Sequence, residues 1–168
     1  MKPHSFEASD LAAMDRLGRA LASTLAGSGA VLHLTGELGA GKTTLVRATL
    51  RGLGVTGAVR SPTYTLVEGY ALADGMAWHL DLYRIRGVEE LEYLGIRELD
   101  ATSSRVFVEW PERAAGGLPV ADLGLKLSAK GEGREVVVQA RSSRGERILA
   151  GWQDALAKNT ANDAAHTA

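Results

Sequence analysis

Cysteine is absent from the 168 residues, which excludes a disulfide framework, a zinc-thiolate site and a thiol nucleophile. Charge of one sign is not in excess either. Lys plus Arg number 19 and Asp plus Glu 20, for a net charge of -1, which argues against a protein that coats nucleic acid non-specifically. No apolar run approaches the ~18 residues needed to span a bilayer, so no membrane association is expected. The opening MKPHSFEASD lacks the apolar core of a signal peptide, and the expectation is a soluble, cytoplasmic protein. There is no internal repeat. What is present is ordinary for a globular chain: 45% hydrophobic and 23% charged residues, so a disordered, collagen-like or coiled-coil chain is excluded. The length suggests one domain, placed at residues 1–157, with 158–168 as a disordered tail because KNTANDAAHTA is small and polar.

The 20 glycines fall where the pattern changes. A helix capped by Ser9 or Asp10 carries Leu11, Met14, Leu17, Leu21 and Leu25 near one face, and Gly27 and Gly29 end it. Val31–Thr35 reads as a buried strand, and a helix follows from about Thr43 to Leu53. Tyr64–Ala73 alternates and meets Asp74-Gly75, the signal for a tight hairpin, with a return strand from Met76 to about Asp81. Val88–Leu94 is a short acidic helix, and Arg105–Trp110 a strand stopped by Pro111. Leu123–Ser128 and Glu135–Ala140 form a second hairpin, and Ser143 to about Ala157 a last helix. The alternation of strands and helices, followed by hairpins, predicts an α/β sandwich with a mixed central sheet flanked by helices.

The segment Gly36-Glu37-Leu38-Gly39-Ala40-Gly41-Lys42-Thr43 satisfies G-x-x-x-x-G-K-[ST] between a strand and a helix, the pattern of a phosphate-binding P-loop. Each residue type has a reason. Phosphate oxygens must approach several backbone N–H groups at once, and glycine permits the backbone angles this requires. The helix start adds unpaired N–H groups and the positive end of its dipole. Lys42 supplies a full charge to the β- and γ-phosphates, and the Thr43 hydroxyl can ligate Mg²⁺. Between Leu38 and Val67 stand Lys42, Arg47, Arg51 and Arg60 and no acid, a local positive field suited to a polyphosphate, although Arg47 and Arg51 read better as a solvated helix face.

Mg²⁺ needs hard oxygen donors, and two acids end apolar strands: Asp81 and Glu109. One would hold the metal shell while the other orients or deprotonates water; alternatively each caps a loop or pairs with Arg84 or Arg113. Ser61-Pro62-Thr63-Tyr64-Thr65 is a rigid, hydroxyl-rich loop able to contact a γ-phosphate, or else a proline turn entering a strand. His79 reads as a structural strand residue, and Trp110 as a packing residue or, beside Glu109, as part of a partner surface.

The pieces GELGAGKTTLVR, SPTYTLVEGY, HLDLYR, EELEYLG and VFVEWPER, in this order and spacing, resemble the bacterial TsaE (YjeE) family over roughly residues 6 to 156. The resemblance implies a P-loop ATPase of tRNA threonylcarbamoyladenosine (t6A) synthesis. Such a protein binds ATP and Mg²⁺, and its hydrolysis supports repeated turnover of the TsaB–TsaD complex. TsaD is the direct partner and tRNA is reached only through that complex. Carried over, Gly36, Glu37, Gly39, Ala40, Gly41, Lys42, Thr43 and Thr44 form the nucleotide cradle. Thr43, Glu109 and Asp81 serve the metal. Lys42, Asp81, Glu109 and Thr63 are the catalytic candidates, with Thr65 beside Thr63 in a switch-like loop. Residues around Ser9 and Glu132 flank the base and ribose. The preference for ATP rests on the resemblance, since no guanine-reading N-K-x-D tetrapeptide is apparent. Two other readings share the motif: a small-molecule kinase, against which no obvious Arg-rich lid stands in the sequence, since Arg134, Arg141, Arg144 and Arg147 fall on a predicted hairpin and helix start, and a nucleotide-gated binding module that hardly hydrolyses.

Overall fold

The computed structural model describes residues 2–166. Seven strands form one sheet in the order β1-β7-β6-β2-β5-β4-β3. They are β1 (His4–Ala8), β2 (Ala30–Thr35), β3 (Val67–Leu72), β4 (Gly75–Asp81), β5 (Arg105–Glu109), β6 (Leu123–Lys130) and β7 (Gly133–Ala140). The centre, β6-β2-β5-β4, is parallel. The flanks are antiparallel: β1 on β7, β7 on β6, and β3 on β4. The expected mixed α/β sandwich is therefore what the chain forms.

Period-two alternation divides β2, β4 and β5 between two cores, while the apolar residues of β6 face only one. Leu32, Leu34, Phe107, Leu125 and Val138 face a helical layer, whereas Val31, Val106, Val108 and Leu80 face the other side. The helical layer is α1 (Leu11–Leu25), α2 (Lys42–Gly52) and α4 (Ser143–His166). The opposite layer holds only the one-turn helix α3 (Glu90–Tyr93), two short 3₁₀ turns at Ile96–Glu98 and Pro111–Ala114, and loops. Asp10 caps α1 as expected, its carboxylate accepting the Ala13 N–H at 2.7 Å. Helices α1 and α2 cross closely because Gly18 lacks a side chain: a Cβ there would stand 2.4 Å from the Ala48 Cβ. Trp152 of α4 is fully buried and donates its indole N–H to the Leu17 carbonyl at 3.0 Å, so its one polar atom is satisfied.

Four local expectations are corrected. Strand β1 precedes α1, where the sequence reading begins with the helix; only Phe6 and Ala8 of this strand face inward, too short a pattern to stand out. Residues 62–66 are a turn rather than the start of a strand, because the Leu66 N–H closes on the Pro62 carbonyl at 2.7 Å. The hairpin turn is one residue earlier than expected, at Ala73-Asp74, since Leu72 pairs with Gly75. Finally, α4 does not stop at Ala157. It continues through the expected tail to His166, with Thr160 donating back to the Leu156 carbonyl at 3.0 Å. Residues 167–168 of that segment lie outside the described residues.

Candidate functional site

Strands β2, β5 and β4 run parallel and end at the same edge of the sheet, with Leu34 beside Glu109 and Glu109 beside Asp81. That edge, at the carboxyl ends of parallel strands, is where open α/β sheets bind ligands. From Thr35 the chain enters the glycine-rich turn and leaves it as α2. Gly36, Gly39 and Gly41 take φ values of 142°, 79° and 101°, as the cradle requires. Gly36 is also crowded, since a Cβ there would meet the Leu127 carbonyl at 2.4 Å. Gly41 is the N-cap of α2 and offers no side-chain hydrogen bond, so the first amides of this helix are left for another acceptor.

Lys42 is almost wholly buried. Its Nζ donates to the carbonyls of Gly36 at 2.6 Å and Glu37 at 2.9 Å, and lies 4.3 Å from the centre of the Trp110 ring. Burial pulls the ammonium below its ordinary range, and the negative charges of Glu109, Asp81 and Glu112 oppose that pull. Thr43 Oγ1 donates to Glu109, at 2.8 Å to Oε1 and 3.0 Å to Oε2. Because its proton is used on the carboxylate, the lone pairs of the hydroxyl remain open to a cation. Glu109 is buried and also meets His79 Nε2 at 2.7 Å. Asp81, buried as well, accepts the Tyr83 N–H at 3.1 Å. Desolvation lifts its carboxyl above the usual range; the Tyr83 hydrogen bond acts against this, Glu109 adds to it, and His79 and Lys42 lower it.

These groups surround one cavity of about 390 Å³. Gly39, Ala40, Gly41, Lys42, Thr43, Thr44, Thr63, Asp81 and Glu109 all line it. Gly36 and Glu37 stand at the root of the loop and take part through their carbonyls instead. Thr65 turns away, donating to Glu68 at 2.9 Å, while Thr63 shares a 2.7 Å contact with Ser61. Arg84 and Arg113 do not claim the acids. Arg84 lies 4.8 Å over the Tyr64 ring, and Arg113 lies 5.4 Å over Tyr83. Nor do the four arginines considered for a kinase lid gather over the cavity. Arg144 approaches Asp122 at 3.8 Å, and Arg141 packs across Gly124. Only Arg134 comes to the loop, donating to the Gly39 carbonyl at 3.3 Å. A second cavity of about 690 Å³ opens on the other side of the loop between Ser9, Met14, Thr44 and Glu132, the neighbourhood expected to flank a nucleoside.

Sequence reasoning missed Tyr83 and Arg84 as lining residues, although they directly follow Asp81. Trp110 was expected to pack or to form part of a partner surface. Trp110 also walls the cavity beneath Lys42, lies with its ring centre 5.0 Å from that of Tyr83 at a tilt of 54°, and holds φ at 57°. Leu66, whose carbonyl accepts the Asp81 N–H at 3.0 Å, also has a positive φ of 65°. Left-handed backbone at two bulky residues costs on the order of 1–3 kcal/mol each, and such strain gathers at functional sites.

The donor set fits Mg²⁺ bound with a nucleotide. It offers hydroxyl and carboxylate oxygens at the foot of a phosphate-type loop, and among the described residues no cluster of three or more His, Cys, Asp or Glu could hold a metal by itself. Mg²⁺ characteristically takes one or two protein oxygens and completes its shell with phosphate and water. No described helix is long and apolar enough to cross a membrane.

Fold and site together define the class: an α/β sandwich with the P-loop arrangement of strand, glycine-rich turn and helix. Comparison with known proteins narrows it. The family model described as threonylcarbamoyl adenosine biosynthesis protein TsaE matches residues 8–136. The tRNA threonylcarbamoyladenosine biosynthesis protein TsaE of Haemophilus influenzae is 43% identical over 124 residues, covering 74% of this chain and 78% of that one. Its counterpart in Bacillus subtilis is 36% identical over 131 residues, covering 76% and 80%. The crystal structure of Bacillus subtilis YdiB superposes with a TM-score of 0.75 at 28% identity, over 91% of this chain and 95% of that one. The chain belongs to the TsaE family.

Proposed function

We propose that this chain is a Mg²⁺-dependent ATPase of t6A biosynthesis, whose nucleotide cycle drives turnover of a TsaB–TsaD complex. The observation that carries this reading is the convergence of Lys42, Thr43, Asp81 and Glu109 on the one cavity at the ends of β2, β4 and β5. Membership of the family supports the pathway, and the TsaB–TsaD partner is part of the proposal.

Each group has a task. The amides of residues 39–44 and the start of α2 take phosphate oxygens. Lys42 exchanges its two loop carbonyls for the β- and γ-phosphates, a better match for a buried ammonium than neutral oxygens. Thr43 and Glu109 would hold Mg²⁺, with Asp81 completing its water shell. When bound, that ion neutralises charge on the β- and γ-phosphates. Asp81, made more basic by burial, is placed to orient or deprotonate the attacking water. Thr63 approaches from the 61–66 turn as the contact that senses the γ-phosphate. Arg113 lies over the Tyr83 ring, and Arg84, although it lines the cavity, lies over Tyr64, so an arginine supplied by a partner would complete the stabilisation of charge in the transition state. Hydrolysis is accordingly weak for the chain alone and stimulated by the partner.

The test is phosphate release by the purified chain with and without TsaB–TsaD, beside Lys42→Ala. Stimulated release that Lys42→Ala abolishes supports the reading. Unchanged nucleotide binding and tRNA modification in Lys42→Ala would overturn it.

A further inference from the structure

His79 occupies the helix-facing side of β4 between Ala77 and Asp81, and it is fully buried. Its Nε2 contacts Glu109 Oε1 at 2.7 Å, the same oxygen that takes the Thr43 hydroxyl at 2.8 Å. Its other nitrogen, Nδ1, is buried and has no hydrogen-bond partner among the described residues. An ionised carboxylate only accepts, so Nε2 carries a proton and donates it to Glu109. Burying an imidazole with one nitrogen unpaired costs stability that an apolar side chain would not incur there. The neighbours on this face, Ala77 and Phe107, are apolar, so packing alone does not call for the ring.

The register shows what the ring reaches. His79 lies level with Phe107 on the parallel neighbour, and Glu109 is two residues further along. The Glu109 side chain, with three rotatable bonds, is held at one oxygen by the ring of the adjacent strand. Its position then sets that of the Thr43 hydroxyl, which donates to both its oxygens.

We propose that His79 is a positioning residue: its Nε2–H fixes the Glu109 carboxylate, and through it the Thr43 hydroxyl, in the orientation that receives the Mg²⁺ of a bound nucleotide. This rests on the nucleotide reading above and assigns the ring a part in metal recognition that its burial in a strand concealed.

The experiment compares two side chains of nearly equal length. His79→Gln keeps an N–H donor near the Nε2 position; His79→Met does not. Affinity for a non-hydrolysable ATP analogue is measured by calorimetry for wild type and both variants, once with Mg²⁺ and once with EDTA, alongside thermal unfolding. Wild type and His79→Gln are expected to gain similarly from Mg²⁺. His79→Met is expected to lose about 10-fold of that gain, the scale typical of removing an outer partner of a metal ligand, while binding in EDTA is unchanged. His79→Asn, whose amide is too short to reach Glu109, should lose the gain as well. Equal Mg²⁺ gains in the Gln and Met variants, or a full gain in His79→Asn, overturn the proposal and leave the nucleotide site standing. Absence of analogue binding by the wild type overturns both.

Discussion

At the amino end of β5, Arg105 is completely buried, and its guanidinium donates to the Leu25 carbonyl at 2.9 Å and to the Asp74 carboxylate at 2.5 Å. Asp74 in turn accepts the Gly27 N–H at 2.6 Å. The nearby Asp100 takes the Thr102 N–H and the hydroxyls of Thr102 and Ser103. At the carboxyl end of the same strand, Glu109, Asp81 and Lys42 are also buried, but their arrangement is different. Two acids stand side by side, burial holds Asp81 above and Lys42 below their ordinary ranges, and an imidazole nitrogen has no partner. Leu66 and Trp110 bend through left-handed angles beside them. One end closes its charges upon each other and joins α1 to the β3–β4 hairpin. The other keeps donors and acceptors in surplus, at a cost in stability, which is the condition for binding something else. Burial of charge alone does not separate a scaffold from a site; completeness of pairing does.

Four substitutions sharpen that contrast. Lys42→Ala should weaken nucleotide binding by about 100-fold or more, since charge-assisted hydrogen bonds to phosphate are lost together, and calorimetry measures it directly. Arg105→Met should do the reverse. It should cost about 2–3 kcal/mol in denaturant unfolding, below the ~3–5 of a fully buried pair because Asp74 stays partly hydrated, while nucleotide affinity of the folded protein is unchanged. If Arg105→Met instead weakened binding as Lys42→Ala does, the division of labour between the two ends would be wrong.

Asp81→Asn should raise the thermal midpoint at neutral pH by a few degrees while lowering hydrolysis. The sign follows from linkage. A carboxyl with a raised folded-state pKa binds more protons folded than unfolded, so its contribution to stability falls as pH rises from the ordinary value of 3.8 to the folded one, and the full cost is present above that. The amide removes the cost and still accepts the Tyr83 N–H. A thermal midpoint unchanged or lowered by Asp81→Asn would count against stored electrostatic strain at this end. The smallest effect belongs to Asp100, held down to about 2 by the Ser103 and Thr102 hydroxyls and the Thr102 N–H. Its stabilisation is whole above about 4 and is lost as pH falls through about 2, so Asp100→Asn should flatten the acid limb of the stability profile between these values.

Much of the carboxyl end was legible in the residues. The glycine spacing and Lys42-Thr43 dictate the loop, and Asp81 and Glu109 mark themselves by ending apolar runs. The remainder depends on register between strands distant in sequence. His79 meets Glu109 only because β4 lies parallel to β5, the two residues being 30 positions apart in the chain. Strand β1 exists because β7 offers it an edge: His4 pairs with Val138 and Ala8 with Arg134, far beyond any local pattern. The turn at 62–66 was hidden for another reason. Alternation in Tyr64–Ala73 suggested strand, but the Leu66 N–H found the Pro62 carbonyl and the backbone reversed before β3 could begin. The amino end was less legible still, since nothing near Arg105 announces that Asp74 and Gly27 will meet it.

The most direct test of the account is amide hydrogen exchange with and without a Mg²⁺-bound, non-hydrolysable ATP analogue, followed across both ends of β5. The expected result is strong slowing at residues 39–44 and unchanged exchange around Arg105 and Asp74. Unaltered exchange at 39–44 under saturating analogue would contradict it.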